Sequence, residues 1–366
     1  MTVLFYISGH GFGHASRDVE VMNALALRHG ARLLIRSAVD GDLLARTLRT
    51  EFDLIPGACD TGIVQASSVE HDDDATVESA LAFYQDFDSR IDAELKALRH
   101  ARIDAVVGDI PPVAFEVAQR LDVPGLVLAN FTWDWIYETH PGFLPRGAGV
   151  LQQIRTAYGK ATHAFELPFG AGFDVFPHVT RVPLVARRPT QGRRATREHF
   201  GLPADRKVAL ASFGGYGLPS LDLALLDCRE DWTIVTTTRT KGTSTGAPEH
   251  VRTIDESVFR GSAFRYEDLV AAVDVVVTKP GYGIIAECIA GETAMLYTSR
   301  GAFREYDLLV SALPRYVRSQ FISQADLFAG RWRESLESLL HQPDPPERLE
   351  TDGAERTAEL IAAITT

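Results

Sequence analysis

Cysteine is nearly absent. The 366 residues include three, Cys59, Cys228 and Cys288, far apart and in no CxxC pair. So small and scattered a set excludes a disulfide framework and a zinc-binding cysteine cluster, and it fits a reducing compartment, the cytoplasm. Long apolar runs are missing too. No stretch approaches the roughly 18 uncharged apolar residues that a membrane span requires. The apolar run near the N-terminus covers only Val3 to Ile7, with no basic residues before it, and reads as a buried strand rather than a signal peptide. Positive charge is in deficit: 37 Lys and Arg against 49 Asp and Glu leave a net charge of −12. This balance excludes a surface that coats nucleic acid or an anionic membrane. It leaves room for one phosphate compound in a locally positive pocket. No solenoid repeat is present, and the single low-complexity segment is Gln342–Pro346.

The remainder is globular in composition, with 45% hydrophobic and 23% charged residues, and its length predicts two domains. Short β-branched runs (Thr2–Ser8, Ala31–Arg36, Asp104–Asp109, Gly125–Phe131, Lys207–Phe213, Trp232–Thr237, Val273–Lys279 and Thr293–Thr298) alternate with helical patterns such as Ser16–His29, Pro111–Leu121, Gly283–Ala290 and Glu305–Ala312. Near-continuous apolar strands between amphipathic helices predict a doubly wound α/β fold with parallel sheets covered on both faces. The alternation breaks once, in the Pro- and Arg-rich stretch Arg181–Arg194. The boundary is therefore placed near residue 183, giving domains at 1–182 and 183–345. A last helix within 346–366, opened by a capping-box pattern at Asp352–Glu355, is expected to pack back on the first domain.

The first strand runs into Ser8-Gly9-His10-Gly11-Phe12-Gly13-His14. A glycine turn before a helix lets a ligand approach the backbone, and the helix start offers unpaired N–H groups to an anion. A dinucleotide site does not fit, because His14 stands where the third fingerprint glycine belongs and the second strand ends Ile35-Arg36-Ser37 with no acid. Three readings of the histidines stay open. Metal ligation through the i, i+4 spacing needs a helix that Gly11 and Gly13 disfavour. Both rings could serve only to hydrogen-bond the loop. One could act as a general base toward an acceptor hydroxyl. His14 is the better placed for that task, since the positive field of a helix start favours the neutral imidazole. Asp109, closing a buried strand, either orients a histidine or an acceptor, or caps the following helix. Trp133 and Trp135, in an aromatic and acidic segment after the next strand, suit either sugar stacking or a plain core.

The second half repeats the device. One strand ends in Gly214-Gly215-Tyr216-Gly217, and another in Lys279-Pro280-Gly281-Tyr282-Gly283. In the latter, the N–H groups of Tyr282 and Gly283 would face a diphosphate, with Lys279 beside them. Glu287, one helical turn on, either accepts two hydrogen bonds from a ribose diol or stabilises the helix start. Arg300 to Asp307, which includes Glu305, sets polar groups at the C-terminal edge of the same sheet, where open α/β sheets collect ligands.

Two α/β domains, glycine turns in both and a phosphate-and-ribose pattern in the second together resemble a nucleotide-sugar glycosyltransferase of the GT-B type. The segments Ile7–Arg17, Ala129–Tyr137 and Lys279–Glu287 resemble the glycosyltransferase-like N-terminal region of plant L-arabinokinases and its free-standing bacterial relatives. The C-terminal half is also similar to the enzyme that transfers N-acetylglucosamine to make lipid II. The resemblance implies two Rossmann-like domains facing across a cleft and an inverting transfer that needs neither metal nor cofactor. It implies a UDP-sugar donor and an acceptor of unspecified identity as the partners.

The resemblance also implies roles. Gly281, Tyr282 and Gly283 hold the diphosphate; Glu287 binds ribose; Phe264 and Arg265 pair with uracil through their backbone; polar residues near Glu305 meet the donor sugar; Gly13 and His14 match the Gly-His pair of the lipid II enzyme's first loop. From the residues themselves, Gly214, Gly215 and Lys279 are expected beside the diphosphate, Gly11, Phe12, Gly13, Trp133 and Trp135 on the acceptor side, and His14, His10 and Asp109 as the catalytic set. Two departures stand out: the turn begins Lys279-Pro280, and Glu305-Tyr306 replaces the glutamine pair of the lipid II enzyme, so the donor sugar differs. The sugar-kinase domain of arabinokinases has no counterpart here, and kinase activity is not implied. A nucleotide-sugar epimerase or hydrolase on the same fold, or a silent nucleotide-sugar sensor, are the alternatives.

Overall fold

The computed structural model describes residues 1–9, 12–65, 71–214, 218, 221–238, 248–301 and 303–365, without the side chain of Phe12. The chain divides into two units. The first contains the chain up to Ala186 and again from Glu350; the second contains Arg187–Leu349.

In the first unit the strands are β1 (Thr2–Ile7), β2 (Arg32–Ser37), β3 (Phe52–Pro56), β4 (Ala105–Asp109), β5 (Gly125–Ala129), β6 (His163–Glu166) and β7 (Val179–Arg181). They form one sheet in the order β3-β2-β1-β4-β5-β6-β7, every pair parallel. β1 pairs on one side with β2, Phe5 opposite Ile35, and on the other with β4, Ile7 opposite Asp109. The order reverses between β1 and β4, which is the topological switch point where open α/β sheets bind ligands. The central strands bury every residue from Val3 to Ile7 and from Ala105 to Asp109, as strands covered on both faces do. Leu25 of the helix Phe12–His29 and Ala358 and Ile361 of the C-terminal helix Gly353–Thr365 complete one core with Val3, Phe5 and Ile7. That last helix is tied in by backbone bonds, Leu184 N–H to Glu350 C=O at 3.0 Å and Gly353 N–H to Leu184 C=O at 3.2 Å.

In the second unit the strands are β8 (Lys207–Ser212), β9 (Trp232–Thr238), β10 (Val251–Asp255), β11 (Val275–Thr278), β12 (Ala294–Tyr297) and β13 (Ser319–Phe321). Their order is β10-β9-β8-β11-β12-β13, again parallel throughout. This is the 3-2-1-4-5-6 winding of a dinucleotide-binding sheet, with its switch point between β8 and β11. Trp232, Ile234, Val275, Val277, Leu296, Trp332 and Leu336 form its core. No helix among the described residues is long and apolar enough to cross a membrane.

Two helix boundaries differ from the sequence-based expectation. The first helix begins at Phe12 rather than near Ala15, so Gly13 and His14 lie in its first turn. Gly13 disfavours that turn only by propensity, and burial of the Ala15, Val19 and Met22 face outweighs it. The helix expected at Glu305–Ala312 spans Arg304–Tyr316, and Pro314 sits near its end.

Candidate active site

At the β1–β4 switch point, His14 and Asp109 meet. His14 Nδ1 lies 2.8 Å from Asp109 Oδ2, with Asp109 1% exposed. Asp109 does not cap the helix Val113–Leu121, whose N-terminus follows Pro112 without a side-chain cap. The Arg17 guanidinium packs against Asp109 Oδ1 through Nη2, and its Nη1 donates to Asn130 Oδ1 at 2.5 Å. Asn130 in turn donates through Nδ2 to the Pro168 carbonyl at 2.7 Å. Burial pushes the Asp109 carboxyl up, but the charges of Arg17 and His14 outweigh it and hold the group below the ordinary carboxylate range. An ionised Asp109 takes the Nδ1–H of His14, which leaves Nε2 as the ring's acceptor.

Two features of the chain aim Asp109. Gly108 precedes it, and a Cβ there would approach Phe115 Cζ to 2.8 Å, so only glycine lets the helix Val113–Leu121 close on β4. Ile110 follows it with φ of 60°, the left-handed region that a β-branched residue rarely enters. The hydroxyl of fully buried Tyr158 donates to the Ile110 carbonyl at 2.8 Å and accepts the Trp133 N–H at 3.2 Å. Tyr158→Phe would leave two buried backbone groups unpaired. It is expected to cost about 1–3 kcal/mol of stability, measured as a lower denaturation midpoint against wild type.

Asp60 joins the same cluster and was not singled out from the sequence. Its Oδ2 accepts the Trp133 Nε1–H at 2.8 Å. Burial raises its pKa to about 6, against the pull of Ser8, Trp133 and His14. The residue sits in the chain after β3, with no motif around it to mark it. Trp133 is 1% exposed and stacks on Tyr137 with ring centroids 5.6 Å apart. This corrects the expectation of an acceptor platform for Trp133: its hydrogen bond and stacking bury it in the core. Trp135 remains half-buried. Gly13 has open space beside its Cα. His10, Gly11 and Gly215 lie outside the described residues, and Phe12 is described only as the first helical residue.

In the second unit, β11 ends in the turn Lys279-Pro280-Gly281, and the helix Tyr282–Ala290 follows with Gly281 as its N-cap and no side-chain cap. A Cβ on Gly281 would meet nothing within 4 Å, so the approach to that helix start, with Gly283 in its first turn, is open. Lys279 is pushed down to about 8, by burial first and then by the charge of Arg300. Its ammonium has no ion-pair partner among the described residues. Arg300 pairs with Glu305, and its guanidinium lies 4.2 Å from the centroid of the Phe303 ring. Glu305 is buried, and its Oε2 has no hydrogen-bond partner among the described residues. Gly214, at the end of β8, takes φ of 73° and is exposed.

Glu287 is 5% exposed, and its Oε1 accepts Arg187 Nε–H at 2.8 Å and a second bond from Nη2. Arg187 Nη1 also lies 3.7 Å from Glu267 Oε2, and Arg265 Nη1 donates to Glu267 Oε1 at 3.1 Å. Arg187 was read from the sequence only as part of a linker; it is one of two adjacent arginines between Pro183 and Pro189, a pattern too common to use. The N–H groups of Phe264 and Arg265 are committed to Ser262 Oγ at 3.0 Å and Asp268 Oδ2 at 2.8 Å. Both N–H groups cap the local turn and the helix Tyr266–Ala272, which leaves the expected uracil contact to the carbonyls of this segment. No group of three His, Cys, Asp or Glu side chains placed to hold a metal ion occurs among the described residues.

No family model matches the chain. It is 27% identical over 343 residues to the L-arabinokinase of Arabidopsis thaliana, a match spanning 91% of this chain and 31% of that protein. It is 22% identical over 299 residues to an uncharacterised glycosyltransferase of Methanopyrus kandleri, covering 75% of this chain and 80% of that one. Among solved structures, the glycosyltransferase of kitacinnamycin superposes with a TM-score of 0.66 at 17% identity, covering 99% of this chain and 98% of that one. Arabidopsis thaliana UGT89C1, solved with UDP-L-rhamnose, gives a TM-score of 0.61 at 15% identity, over 100% of this chain and 99% of that one. The chain therefore has the GT-B glycosyltransferase fold, and its sequence relatives include an L-arabinokinase and an uncharacterised glycosyltransferase.

Proposed function

We propose that the protein is an inverting glycosyltransferase that uses a UDP-sugar donor and no metal. The second unit holds the donor and the first activates the acceptor. The observation that carries the reading is the contact of His14 Nδ1 with buried Asp109 at a sheet switch point. Asp109 fixes the ring so that Nε2 takes the proton of the acceptor hydroxyl as the oxygen attacks the anomeric carbon. The bond from that carbon to the donor's phosphate oxygen breaks, and its electron pair leaves with the diphosphate. The N–H groups at the start of the helix Tyr282–Ala290 and the Lys279 ammonium meet the charge that develops there.

The test is incubation with a panel of UDP-sugars, with and without acceptors, followed by mass spectrometry of products. A new glycoside together with free UDP is the expected result. Isomerised or hydrolysed sugar without an acceptor makes the protein an epimerase or hydrolase; tight binding with no turnover makes it a sensor.

The Lys279 contact carries its own expectation. A lysine lowered to about 8 is half charged near that pH, and a diphosphate binds its protonated form. UDP affinity is therefore expected to be level below about pH 8 and to fall above it by at most about tenfold per pH unit. Isothermal titration across that range checks it, and a flat profile removes Lys279 from the site.

A further inference from the structure

Beneath His14, three buried carboxylate oxygens lack a hydrogen-bond donor. Asp18 lies one turn after His14 on the helix Phe12–His29, at 0% exposure, and neither of its oxygens has a hydrogen-bond partner among the described residues. The third is Asp109 Oδ1, which meets Arg17 Nη2 as an ion pair without a well-directed hydrogen bond. One guanidinium faces both acids: Arg17 Nε is 3.6 Å from Asp18 Oδ1, while Nη2 packs against Asp109 Oδ1. Nε and Nη2 form one edge of the planar fork, so one oxygen from each acid lies along the same edge. With His14 neutral, as a base must be, the one positive charge of Arg17 flanked by two buried carboxylates leaves a negative charge uncompensated, a state that buried sites avoid by taking up a proton.

We propose that the three orphan oxygens mark one proton: Asp18 is a neutral carboxylic acid that donates its O–H to Asp109, and it is a positioning residue for the His14–Asp109 pair. The proposal rests on the reading of His14 as the base. The shared proton accounts for one Asp18 oxygen and for Asp109 Oδ1, leaves the other Asp18 oxygen as the uncharged carbonyl of the acid, and leaves Asp109 Oδ2 to the imidazole. The groups facing Asp18 agree with this. From its own helix Arg17 favours ionisation, but burial and the charge of Asp109, from β4, outweigh it and push Asp18 well above the carboxylate range. Asp60, after β3, adds further negative charge near Asp109 and His14. A second ionised carboxylate at this place would favour the imidazolium, which cannot accept a proton. A neutral Asp18 keeps Asp109 oriented without that penalty.

The proton is tested directly by carbon-13 NMR of the full-length protein labelled at aspartate carboxyls. The resonance that Asp18→Asn removes is expected at the protonated position throughout about pH 5–8, where exposed aspartates are ionised. A resonance at the ionised position overturns the proposal, whatever the activity. The positioning role is tested by the pair Asp18→Leu and Asp18→Asn. Leucine, which cannot donate, is expected to lower kcat about tenfold with little change in KM for the donor, and asparagine, whose amide donates to Asp109, to recover most of that loss. Equal loss in both variants overturns the donor role. A wild-type protein without transferase activity removes the reading of His14 as base and leaves the NMR result to stand or fall alone.

Discussion

Replacing His14 by alanine is expected to lower kcat by about 10²–10⁴-fold, the range that a positioned general base contributes, while leaving UDP affinity unchanged. The split follows from where the residue sits. His14 belongs to the first unit and is held by Asp109 at 2.8 Å, whereas the phosphate turn and Glu287 belong to the second. Asp109→Asn should give a smaller but still large loss. The amide cannot take the Nδ1–H through a carboxylate oxygen with full charge, so the ring loses its fixed tautomer. Steady-state kinetics with a productive donor, together with isothermal titration of UDP, separate the effects. A His14→Ala protein with wild-type kcat removes His14 as the base, and one that no longer binds UDP shows that the histidine serves the fold or the donor instead.

The second large effect concerns Glu287. The carboxylate of Glu287 and the guanidinium of Arg187 are both largely buried and paired. Alanine at 287 therefore removes the hydrogen-bonded partner of a buried cation and leaves it only the longer 3.7 Å contact with Glu267, which costs up to about 3–5 kcal/mol, or roughly 2–4 °C of Tm for each kcal/mol in a unit of this size. A loss of UDP binding in Glu287→Ala alone would confound recognition with destabilisation. The double variant Arg187→Met/Glu287→Leu separates them. Replacing both partners of a buried pair by apolar side chains is often neutral or stabilising, so the midpoint is expected to recover while UDP binding stays lost. If UDP binds the double variant as tightly as wild type, the ribose assignment fails. If the single variant shows no fall in its unfolding midpoint, the pair contributes nothing to the fold.

The central strands were legible because burial on both faces demands continuous apolar runs, as in Val3–Ile7 and Val275–Val277. The strands β3, β6, β7, β10 and β13 were not read, and all but β6 lie at a sheet edge. Phe52–Pro56, Val251–Asp255 and Ser319–Phe321 are partly exposed, carry Asp, Arg or Gln, and depend on their neighbours for pairing. The His14–Asp109 pair was half legible. A histidine at a helix start and an aspartate closing a strand each had an ordinary local explanation, and only the parallel pairing of β1 with β4, which sets Ile7 opposite Asp109, places them in contact.

The aromatic segment shows the limit from the other side. Its sequence suited an exposed platform as well as a core, and the hydrogen bond from Trp133 to Asp60, contributed by residues 73 positions apart, decided for the core. Periodicity and turn chemistry are local properties, so the sequence by itself determined two parallel α/β units, their glycine turns and a lysine beside one of them on an acidic chain. Partnership is not local. Only the tertiary structure decided that Asp109 serves His14 rather than a helix cap, that Arg187 holds Glu287, and that Asp18 lies buried beside a second acid. Those contacts join residues up to 100 positions apart, and strand order in the sheet, which no short segment encodes, brings them together.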